Sequence, residues 1–383
     1  MQLKKVITYI FMPIMVAAAL LMVAYLIWWQ KNEQPLSVYV LDKTVPTNDY
    51  FEHKPFFWVL HHNKIVKENG TLYRPDEDYY GFVPLNKDDK HFEIRTLGID
   101  ALEATANAYD MCYFTDTYGV YYNHWYQQNN VQAKGSGKVY GGLNNNDYLL
   151  LKAFKEQRKL ILAEYNLYNG PTPNLVRSKV EQLLGLQWSG WTGKYFAHLD
   201  TLRKTTLPGW IVSRYKSQNG GEWPFSGSGV VLVHKYGKIL VLDYPEGEGQ
   251  PMLITDSQQA AKYKVPVKLP FERWFDISQV TDTTHKVLAN FQLQPSHRDS
   301  ILSPMQVPTT FPAIIHQSDN YLFYYFAGDF AEMHLPMGTA RLAGSAYLHK
   351  FFSGNAKQFM WDYYYPIMDN ILNEYVNNRS YEQ

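Results

Sequence analysis

The stretch LLLKAFKEQRKLILAEYN, residues 149–166, decides the fold because it joins a helix to a strand with almost nothing between them. Leucines and a phenylalanine share one face of the predicted helix 145–158, which starts at an Asn cap and carries charges on its other face. KLILAE follows as a buried strand that ends at Glu164. A helix that leads directly into a buried strand is typical of a parallel sheet.

The same alternation continues on both sides of this unit. DMCYFT, residues 110–115, is an apolar run that predicts a second buried strand. TPNLVRSKVEQLLGL, residues 172–186, predicts a helix that begins at Thr-Pro and stops at Gly185. We therefore expect an α/β fold with a mostly parallel sheet flanked by helices. A right-handed crossover would place Cys112 and Ile161 on neighbouring parallel strands.

The pattern changes in the second half of the chain. GVVLV (229–233) and ILVLD (239–243) flank a short turn and predict an antiparallel hairpin. YLFYYFA (321–327) predicts a buried strand that returns to the core. The predicted organisation is a cytoplasmic stub, transmembrane anchor and tether (1–35), an α/β core (36–194), a β-rich insertion or second layer (195–308), and a returning core strand with a C-terminal helix (309–383).

An uncharged apolar run, VITYIFMPIMVAAALLMVAYLIWW, occupies residues 6–29. A helix of about 20 residues crosses the hydrocarbon core, so this run predicts one membrane span. Lys4 and Lys5 precede it and favour a cytoplasmic N-terminus, which leaves the main domain in the periplasm or at the cell surface. The alternative is a cleaved signal peptide, but the run ends in bulky residues without a small-residue cleavage site.

Composition excludes several classes of function. Lys+Arg and Asp+Glu number 36 each, so no net charge attracts nucleic acid. A single cysteine, Cys112, rules out an internal disulfide framework and a cysteine-based zinc site. The chain also lacks an H-E-x-x-H motif and a G-x-S-x-G elbow. We therefore expect no metal and no cofactor, and the expected partners are a lipid bilayer and a cell-surface glycan or envelope protein.

Acidic residues follow four of the predicted strands. They are Asp42, Asp116, Glu164 and Asp329. Ligands of open parallel sheets bind beyond the carboxyl ends of the strands, so these carboxyls are predicted to converge on one edge. If the protein is an enzyme, Asp116 and Glu164 are the candidate catalytic pair, because two carboxyls in different environments can serve as acid and base. The alternative is that each acid caps a helix or stabilises a turn.

Aromatic residues accompany these acids. Tyr118 and Tyr121 follow Asp116, and Trp191 is flanked closely by glycines beyond the helix that comes after Glu164. Aromatic faces cover the apolar faces of sugar rings, while carboxyls and amides bind the hydroxyls. Tyr118, Tyr121, Trp191 and Asp329 are therefore the candidate ligand-binding residues. The alternative is that the aromatic residues fill a core, since the chain contains 31 tyrosines.

Four segments together resemble the class I glutamine-amidotransferase-like (flavodoxin-like) α/β fold. They are YDMCYFTDTYG, LLLKAFKEQRKLILAEYN, TPNLVRSKVEQLLGL and YYFAGDF. The resemblance is to a degenerate form found in membrane-bound, carbohydrate-related bacterial proteins. Active members place a nucleophilic cysteine on a tight turn after a strand, and the matching turn here, residues 163–166, has none. The resemblance therefore implies the fold without glutaminase activity, within an uncharacterised family of membrane-anchored proteins.

Two functional hypotheses remain open from the sequence. The first is a membrane-anchored extracytoplasmic accessory or binding protein for cell-surface polysaccharide or envelope assembly. The second is a carboxylate-dependent polysaccharide hydrolase or lyase that uses Asp116 and Glu164. The two differ in what they require of these carboxyls, because an acid and its partner must lie roughly 5–10 Å apart across an open site.

Overall fold

The computed structural model describes residues 2–86, 88, 90–126, 137–202, 206–352, 354 and 358–382. Its helices are α1 (Gln2–Trp29), α2 (Lys54–His62), α3 (Leu102–Ala108), α4 (Tyr122–Tyr126), α5 (Asn145–Glu156), α6 (Asn174–Leu184), α7 (Gly209–Gln218), α8 (Ser257–Tyr263), α9 (Ser345–Phe352) and α10 (Tyr365–Glu382). Its strands are β1 (Gln34–Pro35), β2 (Val38–Asp42), β3 (Ile65–Val66), β4 (Tyr80–Asn86), β5 (His91–Arg95), β6 (Met111–Phe114), β7 (Val120–Tyr121), β8 (Lys138–Tyr140), β9 (Leu160–Glu164), β10 (Leu186–Phe196), β11 (Ser228–His234), β12 (Ile239–Tyr244), β13 (Met252–Thr255), β14 (Lys268–Pro270), β15 (Phe275–Val280), β16 (Lys286–Gln292), β17 (Thr310–Gln317) and β18 (Phe323–Phe326).

A ten-stranded sheet forms the centre of the molecule, in the order β14-β13-β16-β17-β18-β9-β6-β2-β4-β5. The five strands β18, β9, β6, β2 and β4 are parallel, and Cys112 pairs with Ile161 as predicted. The remaining pairs are antiparallel. The fold is thus α/β with a mixed sheet rather than a mostly parallel one. The loop between β17 and β18 is short, and a short connection permits only antiparallel pairing.

A second sheet of four antiparallel strands has the order β12-β11-β10-β15. Its β11–β12 pair is the hairpin that the sequence predicts, with Val231 opposite Val241. Residues 195–308, predicted as an insertion or second layer, divide between the two sheets. Strands β11, β12 and β15 belong to the small sheet, whereas β13, β14 and β16 extend the large one.

Local signals explain where the helices of the core begin and end. The side chain of Asn144 accepts hydrogen bonds from the first turn of α5, and Asp147 completes a capping box. Helix α6 ends at Gly185, whose φ of 63° is in the left-handed region that glycine adopts without strain. Helix α5 packs against α3 and α6, and α2 packs against α10.

The N-terminal helix is long and apolar enough over Phe11–Trp29 to cross a membrane. Its last turn is nevertheless attached to the domain. Trp28 is 4% exposed and donates a hydrogen bond from its indole nitrogen to the carbonyl of His61, at 2.8 Å. The following residues, predicted as a tether, also lie against the domain, because β1 pairs with β3. The helix therefore joins the fold through direct contacts.

Candidate functional site

The carboxyl ends of the parallel strands bring together the acids that the sequence predicts. Asp42 ends β2 and pairs with His53, the residue that precedes α2; the Asp42 Oδ2 to His53 Nδ1 distance is 2.6 Å, and both side chains are fully buried. The other ring nitrogen, Nε2, lies 2.8 Å from the carbonyl oxygen of Pro75. A carbonyl only accepts, so Nε2 carries a hydrogen, and a second hydrogen lies between Nδ1 and the carboxyl. This pair fixes the start of α2 to the edge of the sheet.

Asp116 lies beside that pair, just beyond β6. Its carboxyl accepts hydrogen bonds from the backbone N–H of Tyr118 (2.6 Å), the hydroxyl of Thr44 (3.0 Å) and the side-chain amide of Asn166 (3.2 Å). The pKa of Asp116 is raised to about 7, chiefly by burial and in part by the nearby Asp42, although the hydrogen bonds from Tyr118, Thr44 and Asn166 lower it. Asp116 therefore titrates near neutral pH at the edge of the sheet.

Glu164, the last residue of β9, has a different role from the predicted one. Its carboxyl accepts hydrogen bonds from the Tyr113 hydroxyl (2.5 Å) and from the backbone N–H groups of Phe330 (3.2 Å) and Ala331 (3.1 Å). Burial raises its pKa to about 8, and these hydrogen bonds lower it. At 3% exposure the carboxyl fastens the loop after β18 to the sheet. Both oxygens of Glu164 therefore accept hydrogen bonds within the fold, and its role as a catalytic partner of Asp116 stays a prediction.

Glu52, which the sequence did not single out, lies close to Asp116 and Asp329. It is 8% exposed, and among the described residues none donates a hydrogen bond to its carboxyl. Burial raises the pKa of Glu52 well above its usual range, and Asp329, Asp116 and Glu332 raise it further. Glu52 comes from the irregular segment before α2, so no strand pattern marked it. The only available signal was its position close to a helix that follows an acid-terminated strand.

Asp329 joins the same group from the loop after β18. It is 7% exposed, and one carboxyl oxygen accepts the backbone N–H of Glu332 at 3.3 Å. Burial raises its pKa well above the usual range, and the Glu332 carboxyl adds to this effect. Asp116, Glu52 and Asp329, which we call the strand-end acids, therefore raise the cost of ionising one another, so the group favours protonated, neutral carboxyls.

Asn166 connects the strand-end acids to the second sheet. Its φ of 67° lies in the left-handed region, which asparagine tolerates better than most residues. While its amide nitrogen bonds Asp116, its amide oxygen accepts from Asn169 at 3.0 Å, and Asn169 donates to Asp276 at 2.5 Å. Burial raises the pKa of Asp276 to about 6, although the Tyr325 hydroxyl and Asn169 bond it. A continuous polar network thus runs beneath the edge.

Two of the predicted aromatic residues border the strand-end acids. Tyr118 is 38% exposed, and its ring centroid lies 4.8 Å from that of Tyr121. His124 meets the other side of Tyr121 edge-on, with 6.0 Å between the centroids. Burial raises the pKa of Tyr118, to which the Asp116 carboxyl also contributes. The strand-end acids and this tyrosine pair together form the candidate site.

Trp191 lies elsewhere. It is 3% exposed in β10, packs against the ring of His234 at 4.7 Å between centroids, and donates to the carbonyl of Met305 at 3.3 Å. A bulge between Trp188 and Thr192 shifts the register of β10 against β15, which changes the face on which the intervening side chains lie. Trp191, predicted as a ligand-binding residue, is therefore buried in the second sheet and is not part of the candidate site.

Metal chemistry has no framework in the part of the chain that the structure describes. Among those residues, no group of three or more His, Cys, Asp or Glu side chains is arranged to hold a metal ion. Cys112 is fully buried, and burial raises the pKa of its thiol well above the usual range. The described side chains of the candidate site offer hydrogen bonding, aromatic contact and proton transfer by carboxyls.

No family model matches the chain, and no curated protein matches it. Solved structures similar to it include a ThuA-like protein from Bacteroides uniformis, with 9% identity over 88% of this chain and 93% of that chain and a TM-score of 0.34. A ThuA-like protein from Parabacteroides merdae is 9% identical over 76% of this chain and 79% of that chain, with a TM-score of 0.35. A glutamine amidotransferase from Thermotoga maritima is 7% identical over 90% of this chain and 99% of that chain, with a TM-score of 0.36. With TM-scores below 0.5, these likenesses carry no argument, and the membrane-anchored family stays a prediction.

Proposed function

We propose that the chain is a membrane-anchored extracytoplasmic binding protein that holds a cell-surface polysaccharide at the candidate site. The observation that carries the proposal is Glu52, a largely buried carboxyl to which no described residue donates a hydrogen bond. It lies close to Asp116, which in turn accepts the backbone N–H of Tyr118. The Glu52 oxygens are not among the fully buried atoms that lack a partner, so a ligand at the candidate site can reach them and supply hydrogen bonds.

The chemistry of the site favours a neutral polyhydroxylated ligand. Protonated carboxyls both donate and accept hydrogen bonds, which matches the two roles of a sugar hydroxyl. The pKa values of Glu52 and Asp329 are raised chiefly by burial, which favours this protonated form. The Tyr118–Tyr121 pair offers an aromatic surface for the apolar face of a pyranose ring. Anionic ligands are disfavoured, because the neighbouring acids repel them once ionised.

Membrane anchoring is the second part of the proposal. A signal peptide that is removed makes no contact with the mature domain. Here Trp28 is buried in the domain, and Lys31 donates a hydrogen bond to the carbonyl of His62 at 3.0 Å. Retention of α1 as an anchor is consistent with these contacts. Lys4 and Lys5 then place the N-terminus in the cytoplasm and the domain on the opposite side.

The test uses the full chain in lipid nanodiscs against a panel of neutral and anionic bacterial polysaccharides. We expect retention of neutral polysaccharides, with binding weakened about fivefold or more by Glu52→Ala together with Tyr118→Ala, since losing a stacking surface and a hydrogen bond costs about 1–3 kcal/mol. Tyr236→Ala is the matched control, because Tyr236 is 76% exposed and lies on the turn of the β11–β12 hairpin. Unchanged binding by the double variant would refute the site.

A carboxylate-dependent polysaccharide hydrolase or lyase is the second candidate. It is favoured by the pKa of Asp116, which burial raises to about 7, and by the proximity of Glu52. A general acid works best when its pKa lies near the working pH. In this candidate Glu52 replaces Glu164 as the partner. Prolonged incubation with each retained polysaccharide should then release new reducing ends or unsaturated products, and Asp116→Asn should abolish the release without abolishing binding.

A further inference from the structure

Helix α9 carries an apolar face that the domain leaves uncovered. Its exposed side chains are Tyr347 (81% exposed), Leu348 (58%), Phe351 (82%) and Phe352 (77%). At 100° per residue these positions form one stripe along the helix. Four large apolar side chains on one short helix are an unusual surface for water, and such patches mark contact with a protein or a membrane.

The opposite face fixes α9 to the domain, so the apolar stripe has a defined direction. Ala346 is buried, and the ring of His349 stacks on Trp361 with 4.5 Å between centroids and an interplanar angle of 6°. Lys350 forms an ion pair with Asp362 at 2.9 Å. The stripe cannot turn inward without breaking these contacts.

The position of α9 relative to α1 identifies what covers the stripe. The backbone N–H of Ala343 donates to the carbonyl of Ala24 in α1, at 3.0 Å. If a bilayer is centred on residues 6–29, its hydrocarbon core of about 30 Å ends near residue 27. Ala24 then lies about 5 Å inside this boundary, at about 1.5 Å rise per residue. Helix α9 starts at Ser345, within about 7 Å of Ala343.

We propose that α9 lies in the interface of the same bilayer that α1 crosses, with its apolar stripe among the upper acyl chains. The inference rests on the proposed anchoring of α1. It assigns a second membrane contact, made by a helix more than 300 residues later in the chain. Aromatic side chains suit this depth, and Lys64 and Arg341 line a groove beside Trp28 where lipid headgroups would lie.

Two membrane contacts restrict the domain in a way that one cannot. A single helix attached to the domain still allows the two to rotate together about the helix axis and to tilt in the bilayer. A second contact through α9 holds one side of the domain on the bilayer surface. The candidate site then has a fixed orientation toward the membrane.

The experiment reconstitutes the full chain in vesicles of phosphatidylcholine and phosphatidylglycerol. The variant Phe351→Cys is labelled with an environment-sensitive fluorophore, and Tyr236→Cys is the matched control. The native Cys112 is fully buried, and labelling of the unsubstituted chain measures the background from this cysteine. Lipids with a nitroxide high on the acyl chain serve as quenchers. We expect a blue-shifted emission and several-fold stronger quenching at position 351 than at position 236.

Carbonate extraction of the same vesicles tests the anchor separately. Resistance to carbonate with a water-like, unquenched label at position 351 would overturn the α9 inference and leave the anchor intact. A blue-shifted label that the nitroxide lipids do not quench would also overturn it, because it would show a protein partner on the stripe. Release by carbonate would refute the anchor, and the α9 inference with it.

Discussion

Replacing Trp28 tests whether the last turn of α1 is part of the folded domain. Trp28 is 4% exposed, whereas its neighbour Trp29 is 60% exposed, so the two form a matched pair within one helix turn. Trp28→Ala removes a buried indole, for which the cost is about 3–5 kcal/mol. Domains of ordinary stability have about 5–15 kcal/mol in total. Trp29→Ala should change the free energy of unfolding by about 0.5 kcal/mol or less.

Trp28→Phe separates packing from hydrogen bonding. The phenyl ring retains most of the packing but has no N–H for the carbonyl of His61. That carbonyl also accepts the backbone N–H of Lys64 at 3.1 Å, so it is not left without a partner. The expected cost is therefore that of one hydrogen bond, about 1 kcal/mol.

The assay is urea unfolding of the full chain in detergent micelles, followed by near-ultraviolet circular dichroism of the domain. We expect Trp29→Ala to be the most stable of the three variants, Trp28→Phe to be less stable, and Trp28→Ala to be the least stable. Equal stability of the two alanine variants would refute the reasoning, because it would mean that the last turn of α1 contributes nothing to the domain. Such a result would also restore the cleaved signal peptide as the better interpretation of residues 6–29.

Three further predictions use the same unfolding measurement. Burial raises the pKa of Glu164 to about 8, so the folded state holds a proton that the unfolded chain releases above about pH 4. The free energy of unfolding should therefore fall as the pH rises from about 5 to 8. Glu164→Gln should make that fall smaller. Asn166→Ala should be about 1 kcal/mol less stable than Asn166→Gly, because φ is 67° there and both variants lose the bond to Asp116. Gly185→Ala should lower the free energy of unfolding by at least about 1–2 kcal/mol, since φ is 63° there and an added Cβ would lie 2.5 Å from the Cβ of Asp282. An unchanged free energy of unfolding would show that this position is not strained by a side chain.

The sequence predicted the elements whose signals are local. The run 149–166 contains a capped helix, a short connection and a buried strand, and these features were enough to predict the parallel pairing of β6 with β9. The hairpin of β11 and β12 was likewise predicted from two apolar strands separated by a turn. In each case the interacting partners are close in sequence or joined by a single helix.

The rest depends on contacts with no local signal. Strands β13, β14 and β16 join the large sheet at its edge, and nothing in their own sequences distinguishes that sheet from the smaller one. The face of Trp191 follows from a bulge in β10 that depends on the partner strand. Glu52 belongs to the site because an irregular segment brings it there. Asp116 and Asp329 were placed correctly on the edge, because the ends of parallel strands must meet there.

Helix α2 links the two regions on which these proposals depend. Its first residues follow His53, which is bonded to Asp42, and its last carbonyls, those of His61 and His62, bond Trp28 and Lys31. The helix is about 13 Å long at about 1.5 Å per residue, and hydrogen bonds attach it at both ends. If the chain binds a polymer and is anchored as proposed, helix α2 and these hydrogen bonds would transmit mechanical tension on that polymer to the last turn of α1, and thus to the bilayer.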